Sequence, residues 1–232
     1  MPEKDAYSLI KACFDDLETA ESLVNQNPEI IHVKTGLGET PLHYLVVENQ
    51  IDAVKFLFEK GAEINTVNEC GDTPLSQAVM LGYVELTGWL LEKGANLDIV
   101  NNVGDPLIHC AIRSGNVKVM KLLVSKGLSL HEKNSVSETP LHESAKDDEY
   151  LEVTKYLVEN GAELDELGGF NDSPIFGAVL HNNINTVKYL VSKGASILIK
   201  DSHARTPESL AEECGHNEIA EWLKNKSTRL VG

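Results

Sequence analysis

Apolar side chains at Ile51, Val54, Leu57 and Phe58 recur at the spacing of one helical face, and the run stops at Lys60-Gly61, a cation followed by a residue suited to left-handed backbone. Just upstream, Thr40 suits an N-cap and Pro41 the first helical position, where a missing N–H is harmless and φ is already set. Asn49-Gln50 breaks that first helix before the second begins. The pattern predicts two short helices joined by a turn, then a polar, turn-rich segment running from Glu63 to Asp72.

The same pattern returns along the chain. Gly38 to His43 reads GETPLH, and its counterparts are GDTPLS at Gly71, GDPLIH at Gly104, SETPLH at Ser137, NDSPIF at Asn171 and ARTPES at Ala204, with starts 33, 33, 33, 34 and 33 residues apart. A second recurrence follows each of the first five: KGAEI at Lys60, KGANL at Lys93, KGLSL at Lys126, NGAEL at Asn160 and KGASI at Lys193. Two anchors in phase over five periods mark a solenoid of stacked supersecondary units.

The turn glycine followed by Thr-Pro-Leu-His, with a Gly-Ala ending after the second helix, resembles the ankyrin repeat, and the resemblance covers essentially the whole chain. It implies an all-α repeat solenoid of helix-turn-helix units with short projecting β-hairpins. It also implies that His43, His109 and His142, which share one place in the repeat, tie neighbouring hairpins and helices by hydrogen bonds. One domain over 1–232 is expected, with an N-terminal capping repeat at 1–34, full repeats at 35–67, 68–100, 101–133, 134–167 and 168–200, a C-terminal capping repeat at 201–226 and a tail at 227–232.

Both ends carry the marks of caps. In the first, Leu9, Ile10, Leu17, Leu23 and Val24 form the predicted inward set, while Lys4, Asp5, Lys11, Asp15 and Asp16 stay polar. The last places Glu208 where other repeats have Leu42 or Leu75 and adds Glu212, Glu213, Glu218 and Glu221, as a wet outer face requires. Three departures from the pattern bear on local geometry. Pro106-Leu107 replaces Thr-Pro, so Asp105 is expected to cap its helix one residue early. The fourth repeat has one extra residue within Lys146 to Tyr150, an acidic turn expected to bulge from the stack. Ser137, Asn171 and Ala204 stand at the turn-glycine position; Asn tolerates positive φ and Ala does not readily, which leaves the last hairpin's geometry open. Leu122 is assigned to the core of the central repeat, and Trp89 and Trp222 to inward positions of second helices.

A hydrophobic fraction of 42% suits a packed soluble protein, and no apolar stretch approaches the roughly 18 residues of a membrane span. The charged start MPEKDAYSLI lacks a signal core, and Cys13, Cys70, Cys110 and Cys214 fall in different repeats without metal-type spacing, as reduced cytoplasmic thiols do. A net charge of -16 opposes binding to a phosphate backbone. No nucleic-acid or membrane partner, no cofactor and no metal is expected. Histidines at equivalent places are held roughly 10 Å apart by helix packing and do not converge on an ion. No nucleophile elbow, glycine-rich phosphate loop or HExxH is present, so the chain is read as non-enzymatic and monomeric.

Two columns stand out at the hairpins. Just after the turn position come Glu39, Asp72, Asp105, Glu138, Asp172 and Arg205, and just before it Leu37, Cys70, Val103, Val136, Phe170 and His203. Either the acids aid solubility and the apolar groups prop up successive hairpins, or the columns form a strip in which apolar contacts hold a partner and acids steer a basic surface. The resemblance adds first-helix positions that such repeats commonly use for contacts, here Met80, Leu81, Arg113, Ser114, Lys146, Asp147, Leu180 and His181. The expected function is a non-catalytic scaffold or adaptor that binds another protein through hairpin tips and concave first helices, a basic surface on that partner being what the acidic column would steer. The alternative is a stoichiometric inhibitor or immunity-type protein that blocks an enzyme with its acidic face.

Overall fold

The computed structural model describes residues 2–231. After α1 (Pro2–Asp15), α2 (Leu17–Gln26) and a 3-10 turn at Pro28–His32, helices come in pairs: α3 (Pro41–Val47) and α4 (Ile51–Glu59), α5 (Pro74–Met80) and α6 (Val84–Glu92), α7 (Leu107–Arg113) and α8 (Val117–Ser125). Then follow α9 (Pro140–Ala145) and α10 (Leu151–Glu159), α11 (Pro174–Leu180) and α12 (Ile184–Lys193), and α13 (Pro207–Glu213) and α14 (Asn217–Val231). The stretch read as a tail thus continues helix α14 as far as Val231, and Met1 and Gly232 lie outside the described residues.

The chain divides into two compact units, residues 1–110 and 111–232. In the first, α3 packs on α1, α4 and α5, and α5 on α6. In the second, α9, α11 and α13 form one row and α8, α10, α12 and α14 another. Each interior is built from the helical apolar positions: Leu45, Val54, Leu57, Leu86 and Leu90 in the first unit, and Met120, Leu123, Val153, Leu157, Val187 and Leu190 in the second, are fully shielded from water. The central core residue is Leu123, not Leu122, which is only half-buried. A one-residue shift on a helix turns the side chain by about 100°, and Leu122 lies off the inward stripe. Leu17 departs likewise, exposed at the first turn of α2, where Asp16 supplies the N-cap by accepting the N–H groups of Glu18 and Thr19 at 3.1 and 3.0 Å.

Helix starts are fixed by local chemistry. Thr73, Thr139 and Thr206 each accept the N–H three residues on through the hydroxyl, while Ser76, His142 and Ser209 return a bond to the threonine N–H, a reciprocal capping box. Helix α7 begins at Leu107, three residues after Gly104, as α3 begins three after Gly38 and α5 three after Gly71. The expected early start at Asp105 is therefore absent, because Pro106 occupies the N-cap place and the turn keeps its register. Asp105 itself is buried.

Among the described residues the hairpins contain no strand, only an isolated bridge between Val100 and Pro106. Each is a tight turn closed by one repeated bond, from Asn68 N–H to the Asp72 carbonyl at 3.0 Å and from Asp201 N–H to that of Arg205 at 3.0 Å, for example. The turn residue lies in the left-handed region whatever its type: φ is 71, 80 and 83° at Gly38, Gly71 and Gly104, and 62, 58 and 60° at Ser137, Asn171 and Ala204. Alanine accepts this conformation at a cost of about 1–2 kcal/mol, offset by the bonds that close the turn. The inserted segment does not bulge. It folds as a 3-10 turn, Asp148–Tyr150, and the Asp148 carboxylate reaches the next repeat, accepting the Thr186 N–H at 3.0 Å and its hydroxyl at 2.7 Å.

Candidate partner-binding surface

In four of the hairpins one side-chain oxygen orders both columns, while Thr35 and Gly168 occupy that place in the other two. Asn68 Oδ1 accepts the N–H groups of Cys70 and Asp72, both at 2.9 Å, and Asn101 Oδ1 accepts those of Val103 and Asp105 at 3.2 and 3.0 Å. In the second unit Asn134 Oδ1 takes Val136 and Glu138 at 3.1 and 2.9 Å, and Asp201 Oδ1 takes His203 and Arg205, both at 2.9 Å. This Asx turn pins the backbone so that the residue before the left-handed position points outward. Leu37, Cys70 and Val103 in the first unit, and Val136, Phe170 and His203 in the second, are all exposed, with Phe170 the most open of the apolar ones at 66%.

The acidic column is less uniform. The Gln77 amide donates to Glu39 at 3.1 Å, and Glu138 is paired with Lys146 at 2.7 Å. Burial opposes ionisation of Glu138, yet the bonds from Lys146 and Asn134 hold its carboxyl below the usual carboxylate range. Asp72 and Asp172 are half-buried. Arg205 reverses the sign of the column and forms ion pairs with Asp201 at 2.8 Å and Glu213 at 3.2 Å.

Among the first-helix candidates, Leu81, Leu180 and His181 are exposed, and Met80 and Arg113 are half-buried, with the Arg113 guanidinium 3.3 Å from Glu143. In the second unit, a groove of ≈ 350 Å³ brings Glu138, Phe170, Asp172, Leu180, His181, His203 and Arg205 together with Lys146, Phe176, Gly177 and Leu210. Sequence reasoning missed Gly177 and Leu210 as lining residues, since neither lies in the hairpin columns. It also missed a further hairpin column with the same period, Lys34, Val67, Val100, Lys133, Leu167 and Lys200. There Val67, Val100 and Leu167 are exposed, and the Lys34 and Lys133 ammonium groups donate to the carbonyls of Val67 and Leu167 at 2.9 and 3.3 Å.

Two of the histidines, His43 and His142, tie a helix start to the next hairpin. His43 accepts the Thr40 N–H at Nδ1, 3.2 Å away, so Nε2 carries the proton and donates to the Asp72 carbonyl at 3.2 Å. His142 repeats this with Thr139 at 3.2 Å and Asp172 at 3.0 Å. Burial pushes the imidazole of His43 down to about 4 and that of His142 below its ordinary value. Among the described residues no cluster of His, Cys, Asp or Glu is arranged to hold a metal ion, and no helix is long and apolar enough to cross a membrane.

The family model for ankyrin repeats, built of three copies, matches this chain at residues 9–101, 61–135, 89–168 and 141–230. The chain belongs to the ankyrin-repeat family. The crystal structure of the human ASB11 ankyrin repeat domain superposes with a TM-score of 0.79 over 93% of this chain and 96% of that domain, at 24% identity, a likeness of fold. Curated relatives match over shorter stretches: the Arabidopsis thaliana potassium channel AKT1 is 34% identical over 76 residues, and the Caenorhabditis elegans BRCA1-associated RING domain protein 1 is 38% identical over 76 residues. Those stretches are 33 and 32% of this chain but only 9% of the channel and 11% of the RING-domain protein. Ankyrin repeats generally mediate protein–protein interaction and are typically non-catalytic. Here the repeats also explain Trp89 and Trp222, which are half-exposed rather than inward: each ring lies beneath a lysine ammonium, Lys93 at 5.8 Å and Lys226 at 5.2 Å from the centroid, and Trp89 meets Phe58 edge-on at 5.4 Å.

Proposed function

We propose that this ankyrin-repeat chain is a cytoplasmic adaptor that binds a protein partner through its hairpin tips and the ends of its first helices, without chemistry of its own. The observation that carries the reading is the exposed apolar column, in which Leu37 and Val103 of the first unit are 61 and 65% exposed and Phe170 of the second 66%. Turns closed by backbone bonds, with an added Asx bond at Val103, hold such side chains in place before binding, so little ordering entropy is lost on association. Acids beside the column favour a partner with a basic surface, and their contribution is to encounter rate more than to residence time. A reducing compartment suits the four free cysteines.

The test is affinity capture from native cell extract with wild type and with a variant carrying Leu37→Ala, Val103→Ala and Phe170→Ala, followed by mass spectrometry and measurement of rates on the recovered protein. Adaptor binding predicts a partner retained by wild type and lost from the variant. Glu39→Gln with Asp72→Asn should slow association and flatten its salt dependence; Glu138 is spared because its carboxylate holds Lys146. Identical capture by both proteins refutes the reading, and loss of a partner enzyme's activity at stoichiometric amounts replaces the adaptor with an inhibitor.

A further inference from the structure

The groove of the second unit differs from repeat to repeat in one respect that singles out Asp172. In the fourth repeat the acidic-column residue Glu138 is paired across the turn with Lys146, eight positions on, at 2.7 Å, and also accepts the Asn134 amide at 3.2 Å. In the last repeat the same two positions carry the pair with its signs exchanged, Arg205 and Glu213 at 3.2 Å. Between them, the fifth repeat has Asp172, but Leu180 stands where the cation belongs and Gly168 stands where the amide belongs. Asp172 Oδ1 is buried without a hydrogen-bond partner among the described residues, and no ion pair reaches this carboxylate there.

The lining complements what Asp172 lacks. Gly177, within the short helix α11, leaves open the place that Glu143 fills one repeat earlier and Leu210 one repeat later. A glycine inside a helix costs about 1 kcal/mol against alanine. No packing demand enforces it, since a Cβ there would meet Lys146 Cγ at an ordinary 3.5 Å. Phe170, Leu180 and Gly177 give the groove an apolar stretch of wall, and Asp172 lines the same groove. The two cations in the wall are already neutralised, Lys146 by Glu138 and Glu143 and Arg205 by Asp201 and Glu213.

The geometry points to a socket for one arginine side chain of a partner protein, its aliphatic stem over Gly177 and Leu180, its guanidinium against the Phe170 ring and the Asp172 carboxylate. Arginine rather than lysine fits because a planar, weakly hydrated guanidinium both stacks on an aromatic face and offers a fork of donors to a carboxylate. The inference rests on the protein-binding reading above and names the chemistry of one contact. The volume of ≈ 350 Å³ is at the lower end of the ~300–1,000 Å³ range of ligand pockets, room for one long side chain.

The test titrates the ¹⁵N-labelled whole chain with the peptide acetyl-Gly-Ala-Arg-Ala-Gly-amide and with its citrulline, lysine and leucine counterparts. Saturable shifts at the amides of Gly169, Phe170 and Gly177 are expected from the arginine peptide. Citrulline should bind about tenfold more weakly, the size of one hydrogen bond to a charged group. Asp172→Asn should remove the preference for arginine over citrulline, and Gly177→Leu should abolish the shifts, while Gly177→Ala, which fits the available space, should keep them; the spectrum of each variant reports its fold. Equal binding of citrulline or leucine, an unchanged preference in Asp172→Asn, or shifts confined to other residues overturns the socket, and equal binding of lysine overturns its assignment to a guanidinium. No native partner is needed, so these outcomes stand apart from success or failure of the capture experiment.

Discussion

Acidification should weaken the first unit through a single buried imidazole. His43 is fully shielded, and its two nitrogens are committed to the neutral ring: Nδ1 accepts the Thr40 N–H and Nε2 donates to the Asp72 carbonyl. A proton on Nδ1 forfeits the backbone half of the capping box. Burial lowers the folded-state value to about 4, below the unfolded reference of about 6.5. Stability from this group is therefore fully present above the unfolded value and lost as pH falls from there toward the folded one. With those two values the contribution changes by about 2 kcal/mol between pH 7 and pH 5. The comparison is urea unfolding of wild type and His43→Gln, both carrying Trp222→Phe so that Trp89 alone reports on the first unit. Glutamine at this place can return the capping bond but does not titrate. The wild-type unit should lose about 2 kcal/mol more than the variant on moving from pH 7 to pH 5, and an equal loss in both refutes the assignment of that pH dependence to His43.

Three further outcomes follow from the packing and the turns. Leu123→Ala should cost about 2–5 kcal/mol in chemical denaturation and Leu122→Ala clearly less; the reverse order would place the inward stripe of α8 one residue off. Ala204→Gly should stabilise the second unit by about 1 kcal/mol by relieving a left-handed alanine, whereas Gly71→Ala should destabilise the first, because a Cβ there would lie 2.7 Å from the Asn102 nitrogen; thermal midpoints of both decide. Asp148→Ala should destabilise by about 1 kcal/mol through loss of its bonds to Thr186, and an unchanged midpoint would mean that the 3-10 turn does not support α12.

Paired helices, their starts and their periodicity were legible because each rests on interactions within a few residues: a threonine cap, a proline at the first position, an apolar stripe. The errors lie where a local rule met a longer-range constraint. Asp105 has the chemistry of a cap, but the hairpin's bonds set where α7 begins, and Pro106 does not move it. Ala204 resists positive φ on its own, yet Asp201 and Arg205 close the turn around it. Leu122 and Leu123 are adjacent and equally apolar, so composition alone does not choose between them. At the surface, the exposed column is visible as a period of 33 in the sequence, and so is the lysine and valine column beside it. The groove was not visible, because it depends on what Gly177 and Leu180 lack relative to the repeats on either side, and an absence carries no motif.

The extra residue of the fourth repeat carries a lesson about where this chain accepts length. Every hairpin keeps its left-handed position and every first helix its start, while the added residue is taken up in one turn of 3-10 helix, whose Asp148 then binds Thr186 across to the neighbouring repeat. Spacing between helices is thus an adjustable quantity, and hairpin phase is not. A loop grafted at 147–150 would enter at a joint that already tolerates a change of count, whereas the same insertion at a hairpin would throw the two columns out of line.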